Sequence, residues 1–103
     1  MLIEFGPFVA DTDRRELLKH GKRLRLRAQP FDILAALIEK AGETVTRDEL
    51  RRRLWNDHTF VEFEIGLNSA VSRLREVLGD NPQSPCLIET VPKQGYRLSA
   101  RFP

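Results

Sequence analysis

Apolar positions along this chain change period twice, and each change marks a change of element. Over the first 27 residues they alternate or come in short runs. "LIEF" (2–5) and "FVAD" (8–11) read as short strands broken by Gly6-Pro7. "RRELLKHGKRLRLR" (14–27) reads as a hairpin with Lys19-His20-Gly21-Lys22 at its turn. There Leu24 and Leu26 alternate with Arg23, Arg25 and Arg27, the period of a half-buried strand, so the leucines face the core and the arginines face away. From Gln29 the period lengthens. Phe31, Leu34, Ile38 and Ala41 fall on one face at helical spacing, flanked by Ala35 and Leu37. Pro30 suits the first turn of that helix and Gly42 its stop.

A second helix is announced by "VTRDEL" (45–50). Thr46-x-x-Glu49 is a capping box, and Val45 with Leu50 matches the hydrophobic staple around it. The helix is expected from Arg47 to Trp55, with Leu50 and Leu54 inward and Trp55 plugging the core at its end. "NDHTFVEFEI" (56–65) reads as a connecting loop with two aromatic residues and several acids. In "GLNSAVSRLREVLGD" (66–80), Leu67, Val71, Leu74 and Leu78 make a buried stripe with Ala70 and Val77 beside it, and Gly79 stops the helix. "GDNPQSP" (79–85) is rich in turn residues. "CLIETV" (86–91), "PKQG" and "YRLSA" (96–100) then read as strand, turn and strand, with Gly95 supplying a positive φ at the turn. These elements predict one α+β domain: a sheet over 1–27, three helices over 30–79 and a hairpin over 86–100.

Composition narrows the class. A chain of 103 residues is one domain of ordinary globular make-up. No apolar run approaches a membrane span, and "MLIEFGPFVADTD" lacks the basic start and long apolar stretch of a signal peptide. The single Cys86 excludes an internal disulfide and a cysteine-based metal cluster, which fits a reducing cytoplasm; it is expected to be inert. His20 and His58 stand alone, and no phosphate loop or nucleophile motif is present, so neither an enzyme, a metal site nor a cofactor is expected. The formal net charge of +2 decides little, but its distribution is uneven. Basic residues gather at 14–27 and at Arg47, Arg51, Arg52 and Arg53, while acids concentrate in 39–49 and 57–64. Separated charge suits an anionic partner on one side, although composition alone favours solvated surface charge.

The outer face of the 66–80 helix points further. It carries Asn68, Ser69, Ser72, Arg73, Arg75 and Glu76, small polar groups and forked donors instead of uniformly long charged side chains. Short side chains let a helix approach a duplex closely; arginine pairs with guanine and asparagine with adenine. A capped helix followed by such a helix and then a basic hairpin is the order of helix-turn-helix proteins, in which the second helix lies in the major groove.

The run "TRDELRRRLW…GLNSAVSRLREVLGD…IETVPKQGYRL" resembles the OmpR/PhoB-type winged helix, the DNA-binding domain of many bacterial response regulators. The similarity covers essentially the whole chain. "SRLREVLG" followed by "IETV", three residues and "GYR" is its most specific part. It looks nearest to the CadC/ToxR-like members, whose domain is N-terminal in a longer chain, so no receiver domain is expected before Met1. The resemblance implies a winged helix-turn-helix with an N-terminal four-stranded antiparallel sheet, three helices and a C-terminal β-hairpin wing. It implies sequence-specific binding of double-stranded DNA by a cytoplasmic transcriptional regulator, which is membrane-tethered in some full-length proteins, and head-to-tail pairing on direct repeats.

By the same resemblance Ser72, Arg73 and Arg75 occupy DNA-facing positions; many relatives have a basic residue where Ser72 stands, which moves specificity onto Asn68 and Arg73. Thr46 caps its helix, and the helix N-terminus offers N–H groups to a phosphate. Arg47, Arg51 and Arg53 are further phosphate candidates. Lys93, Gln94 and Arg97 belong to the wing near the minor groove, with Lys93 replacing an arginine that relatives often carry beside Pro92, and Tyr96 packs beneath it. The 56–65 loop is the implied contact for RNA polymerase through Asp57, Glu62 and Glu64, with at least one of Phe60 and Phe63 buried beside Trp55. Arg23, Arg25 and Arg27 are read as a solvated strand face. The competing function is a winged helix used only for protein–protein contact, which would show little salt-dependent affinity for duplex DNA; a weaker one is nucleic-acid binding without sequence choice.

Overall fold

The computed structural model describes residues 1–80 and 87–99. The chain opens with a four-stranded antiparallel meander of β1 (Leu2–Phe5), β2 (Phe8–Asp11), β3 (Glu16–Lys19) and β4 (Lys22–Leu24). Phe5 and Phe8 stack across the Gly6-Pro7 turn at 5.4 Å and seal one end of the core. His20 (φ 50°) and Gly21 (φ 81°) are both left-handed, the two-residue turn whose twist matches a right-handed hairpin, and Lys19 faces Lys22 across it. The alternating strand expected through Arg27 stops at Leu24. Arg15 has φ 56° and turns β3 away, so the ladder ends at the Leu17–Leu24 pair. Leu24 and Leu26 are nonetheless half-buried against the core, and Arg23, Arg25 and Arg27 are exposed.

Helix α1 (Ala28–Glu39) buries Phe31, Leu34 and Ile38 as its periodicity predicts, and also Ile33, Ala36 and Leu37. Its inward face is wider than one stripe because both α3 (Phe60–Leu78) and the C-terminal sheet pack on it. Ala41 was expected on that face but is exposed, two residues beyond the helix. Gly42 (φ 84°) sits in the turn after Lys40 and does not cap the helix itself. The chain reverses there to enter β5 (Thr44–Thr46), a strand that no periodicity of the sequence predicts.

Helix α2 (Arg47–Leu54) starts at the predicted capping box: Thr46 Oγ1 accepts from Glu49 N–H at 3.1 Å, and the Glu49 carboxylate reaches back to Thr46 N–H. Val45 and Leu50 are buried as the staple requires, Leu54 is half-buried, and Trp55 is 2% exposed. The segment 56–65 is not one loop. Thr59 forms a second capping box with Glu62, and α3 runs from Phe60, so residues 60–65 are its first turns. Thr59-x-x-Glu62 signals this start in the sequence, and the helix runs on through Gly66. The glycine has a packing reason. A Cβ there would lie 2.7 Å from Trp55 Nε1, so its absence lets the indole pack close against α3. Phe63 meets Trp55 edge-on at 5.7 Å and is buried, while Phe60 is 71% exposed.

The wing is β6 (Ile88–Val91) and β7 (Gly95–Leu98), and β5 joins it to give a three-stranded antiparallel sheet in the order β5-β7-β6. The positive φ of its turn belongs to Lys93 (64°), not to Gly95 as expected. Gly95 is buried inside β7, where an added Cβ would stand 2.0 Å from Val45 O. Glycine is needed there for the close approach of β5. The turn-rich segment from residue 81 on, Cys86 and the wing's outer limit at residue 100 lie outside the described residues.

Candidate nucleic-acid interface

Helix α3 turns Phe63, Leu67, Ala70, Val71, Leu74 and Leu78 into the core. By helix geometry Asn68, Ser69, Ser72, Arg73 and Glu76 fall on the opposite side, and all five are exposed. Asn68, Ser69 and Ser72 form no side-chain hydrogen bond among the described residues. Arg73 contacts Glu76 at 3.4 Å, with both side chains more than half exposed. An exposed ion pair of this kind is worth about 0–1 kcal/mol and does not hold Arg73 against a better partner. Between this face and the wing runs a cleft of about 360 Å³, lined by Asn68, Ser72, Arg75 and Glu76 on the helix side and by Tyr96 on the wing.

Arg75 lies on the wing side of α3 and is committed inward. Its Nη2 donates to Ile88 O at 3.0 Å and to Thr90 Oγ1 at 2.9 Å, and its guanidinium sits 6.0 Å from the centre of the Tyr96 ring. Asp80, buried just past α3, accepts from the N–H groups of Leu87 and Ile88, each at 3.0 Å. Together they fasten β6 to the end of α3. A second arginine does the same for α2. Arg47 donates to Glu64 at 2.6 Å and to Tyr96 Oη at 3.4 Å, and lies 5.7 Å over the Phe63 ring. Its backbone N–H donates to Gln94 O in the wing turn at 2.9 Å. Burial alone lowers the pKa of Arg47, but the hydrogen bond and charge of Glu64 outweigh it and leave the guanidinium more firmly protonated than usual. Arg47, Arg75 and Tyr96 thus set the angle between the two helices and the wing. Glu64, Asp80 and Tyr96 have this positioning part, which sequence periodicity had no means of revealing because each partner is distant in the chain.

The α2 end is less open to an anion than the capping motif alone suggests. Its Arg47 N–H goes to Gln94 and its Glu49 N–H to Thr46, and Asp48 and Glu49 occupy the first turn. The basic group at 47–53 is not separated from acids either. Arg51 and Arg52 both pair with Asp48, and Arg53 forms a two-pronged pair with Glu39 at 2.7 and 2.8 Å. Lys40 pairs with Glu49. The hydrogen bond from Arg53 lowers the pKa of Glu39; that from Arg51 does the same for Asp48 and that from Lys40 for Glu49. Arg97 pairs with Glu89 across the wing. Among the described residues the cations left without an ion pair include Lys93 in the wing turn and Arg14, Lys22, Arg25 and Arg27 in or beside the four-stranded sheet. Lys93 and Gln94 are exposed in the wing turn. No group of acids, histidines or cysteines among the described residues is arranged to hold a metal, and none of their helices is long and apolar enough to cross a membrane.

A capped helix, a second helix with an open polar face and a hairpin pinned beside that face define a winged helix-turn-helix domain, here with a four-stranded sheet in front of it. Residues 21–98 match the family model of the transcriptional regulatory protein C-terminal domain. The chain belongs to this family, the OmpR/PhoB-type winged helices, which is a family of transcription regulators and not of enzymes. Transcriptional regulatory protein AruR of Pseudomonas aeruginosa is 34% identical over 96% of the chain. The transcriptional activator CadC of Escherichia coli is 30% identical over 94% of it, so a CadC-like relative is present as the resemblance implied. The chain spans only 41% of AruR and 19% of CadC. Among solved structures, the Klebsiella pneumoniae RstA DNA-binding domain in complex with the RstA box superposes with a TM-score of 0.82 at 33% identity, covering 95% of this chain and 96% of that one.

Proposed function

We propose that this chain is the effector domain of a cytoplasmic transcriptional regulator and binds double-stranded DNA by sequence. Helix α3 enters the major groove and the wing lies along the adjacent minor groove. The observation that carries this proposal is the exposed polar face of α3 beside a pinned wing, in a chain whose structural neighbour RstA was solved on its own box. Asn68, Ser72 and Arg73 are assigned to base edges, with Ser69 and Glu76 at the margins of the contact. Lys93 and Gln94 are assigned to the duplex backbone at the wing. Arg51 is assigned to phosphate, since its exposed pair with Asp48 exchanges readily for a stronger anion. Thr46, Arg47, Arg75 and Arg97 support the contact by fixing the frame. Arg47, Arg75 and Arg97 each donate to partners within the fold, and a phosphate would reach them only through a donor left spare.

Head-to-tail pairing of two such domains on a direct repeat belongs to the same proposal. So does contact with RNA polymerase through the acids of 56–65, a segment whose first part joins the helices while the rest is the start of α3. Selection of binders from a randomised duplex pool at near-physiological salt tests the proposal. A defined motif, above all a tandem one, is expected. A folded domain that enriches nothing would show that the winged helix serves a protein partner or binds nucleic acid without choice.

A further inference from the structure

Five large apolar side chains of the described residues are more than 60% exposed, and three of them, Phe60, Val61 and Ile65, fall within the first six residues of α3. Scattered exposed apolar residues are ordinary, but such a cluster on one helix is not. Phe60 shares the side of Phe63 and Leu67 by spacing and projects past the edge of the core. Val61 and Ile65 do not. With Asn68 and Ser72 they stand at i, i+4, i+7 and i+11, which is a single ridge along the outer face of the helix. Val61 is 64% exposed and Ile65 is 63% exposed, so neither is explained by the core.

The ridge is therefore apolar in its N-terminal half and hydrogen-bonding in its C-terminal half. A major groove offers both kinds of feature. Its polar edges are donors and acceptors, and its one apolar feature is the 5-methyl group of thymine. In helix-turn-helix proteins it is the N-terminal part of the second helix that reaches the bases. Both side chains are β-branched, so each is held in few rotamers and loses little freedom on contact. Resting on the proposed DNA-binding function, we infer that Val61 and Ile65 read thymine methyl groups, and that the operator carries thymine at the one or two positions flanking those read by Asn68 and Ser72. The occupant is assigned to DNA because the apolar pair is continuous with the polar ridge and lies on the same line.

The test uses the 103-residue chain and synthetic duplexes carrying its selected sequence, with each thymine replaced in turn by deoxyuridine, which lacks only the methyl group. Loss of one buried methyl contact should weaken binding about three- to fivefold at one or two positions and leave the rest unchanged. Ile65→Ala or Val61→Ala should abolish that methyl preference while keeping the remaining sequence preference. Both side chains are exposed, so these variants should keep the wild-type melting profile. Phe60→Ala, off the ridge, should keep the methyl preference in full. Methyl discrimination that survives in both ridge variants would overturn the inference, as would its absence at every thymine. So would ridge variants that leave operator affinity intact but abolish binding of a protein partner. If no sequence is selected at all, the failure lies with DNA binding itself and not with the thymine assignment.

Discussion

Gly95→Ala isolates the contact that holds the wing to the helix-turn-helix. Gly95 faces Thr46 in the register of β5 and β7, and its Cβ position lies 2.0 Å from Val45 O and 2.9 Å from Thr46 Cα. Both obstacles are backbone, so no side chain can swing aside. To restore ordinary contact near 3.4 Å, β7 must retreat by more than 1 Å from β5. Overpacking of this kind costs about 1–3 kcal/mol. The retreat also strains the adjacent bond from Arg47 N–H to Gln94 O, and a backbone hydrogen bond contributes about 1 kcal/mol. A loss of roughly 3 kcal/mol is expected, a large part of the 5–15 kcal/mol that holds a domain of this kind. Gly42→Ala is the control. It has φ 84° and nothing within 4 Å of its Cβ, so it should lose only the roughly 1–2 kcal/mol of a left-handed alanine. Urea unfolding of both variants measures the difference. A Gly95→Ala variant no less stable than Gly42→Ala would refute the role given to the close approach.

Thr59→Ala removes the second capping box and should cost about 1 kcal/mol, lowering the thermal midpoint by roughly 4–8 °C with no change in the fold. The pH dependence follows from Glu39, whose pKa the Arg53 hydrogen bond lowers below its usual 4.5. Its contribution is complete above that value and is lost as pH falls through the lower folded one. Arg53→Met should therefore flatten the acid limb of a urea-midpoint series below pH 4.5, and an unchanged limb would remove Glu39 from the account. On DNA, Arg73→Ala should weaken the selected site by about 1–3 kcal/mol and relax preference at one base pair. Lys93→Ala should weaken all sequences alike and reduce the salt slope by about 1, which titrations at several salt concentrations distinguish.

Local signals in the sequence located most of the fold. The capping box at Thr46, the stripe from Leu67 to Leu78 and the His20-Gly21 turn each specify geometry within a few residues, and each is found in place. The omissions are of another kind. β5 is three residues long, and Val45 and Thr46 already served as staple and cap, so nothing in the chain announces that they also pair with β7. The true start of α3 lies in a segment whose acids and aromatics read as a loop, and the purpose of Gly66 appears only once Trp55 is seen against it. The polar face of α3 was legible because spacing alone decides which side a helical residue occupies. The inward turn of Arg75 was not, since it depends on Ile88 O and Thr90, more than ten residues away. The arginines at 47–53 look like a basic patch in the sequence and are largely neutralised by Glu39, Asp48 and Glu64 in the fold.

The most direct measurement is the affinity of this chain for its selected duplex and for a scrambled duplex of the same length, at the same near-physiological salt. A specific regulator should favour the selected site by about a thousandfold or more. That ratio should collapse when the polar face of α3 is altered by Asn68→Ala with Arg73→Ala and persist when Lys93 is removed. Equal affinities for the two duplexes, or no measurable binding to either, would contradict the assignment of α3 as a base-reading helix.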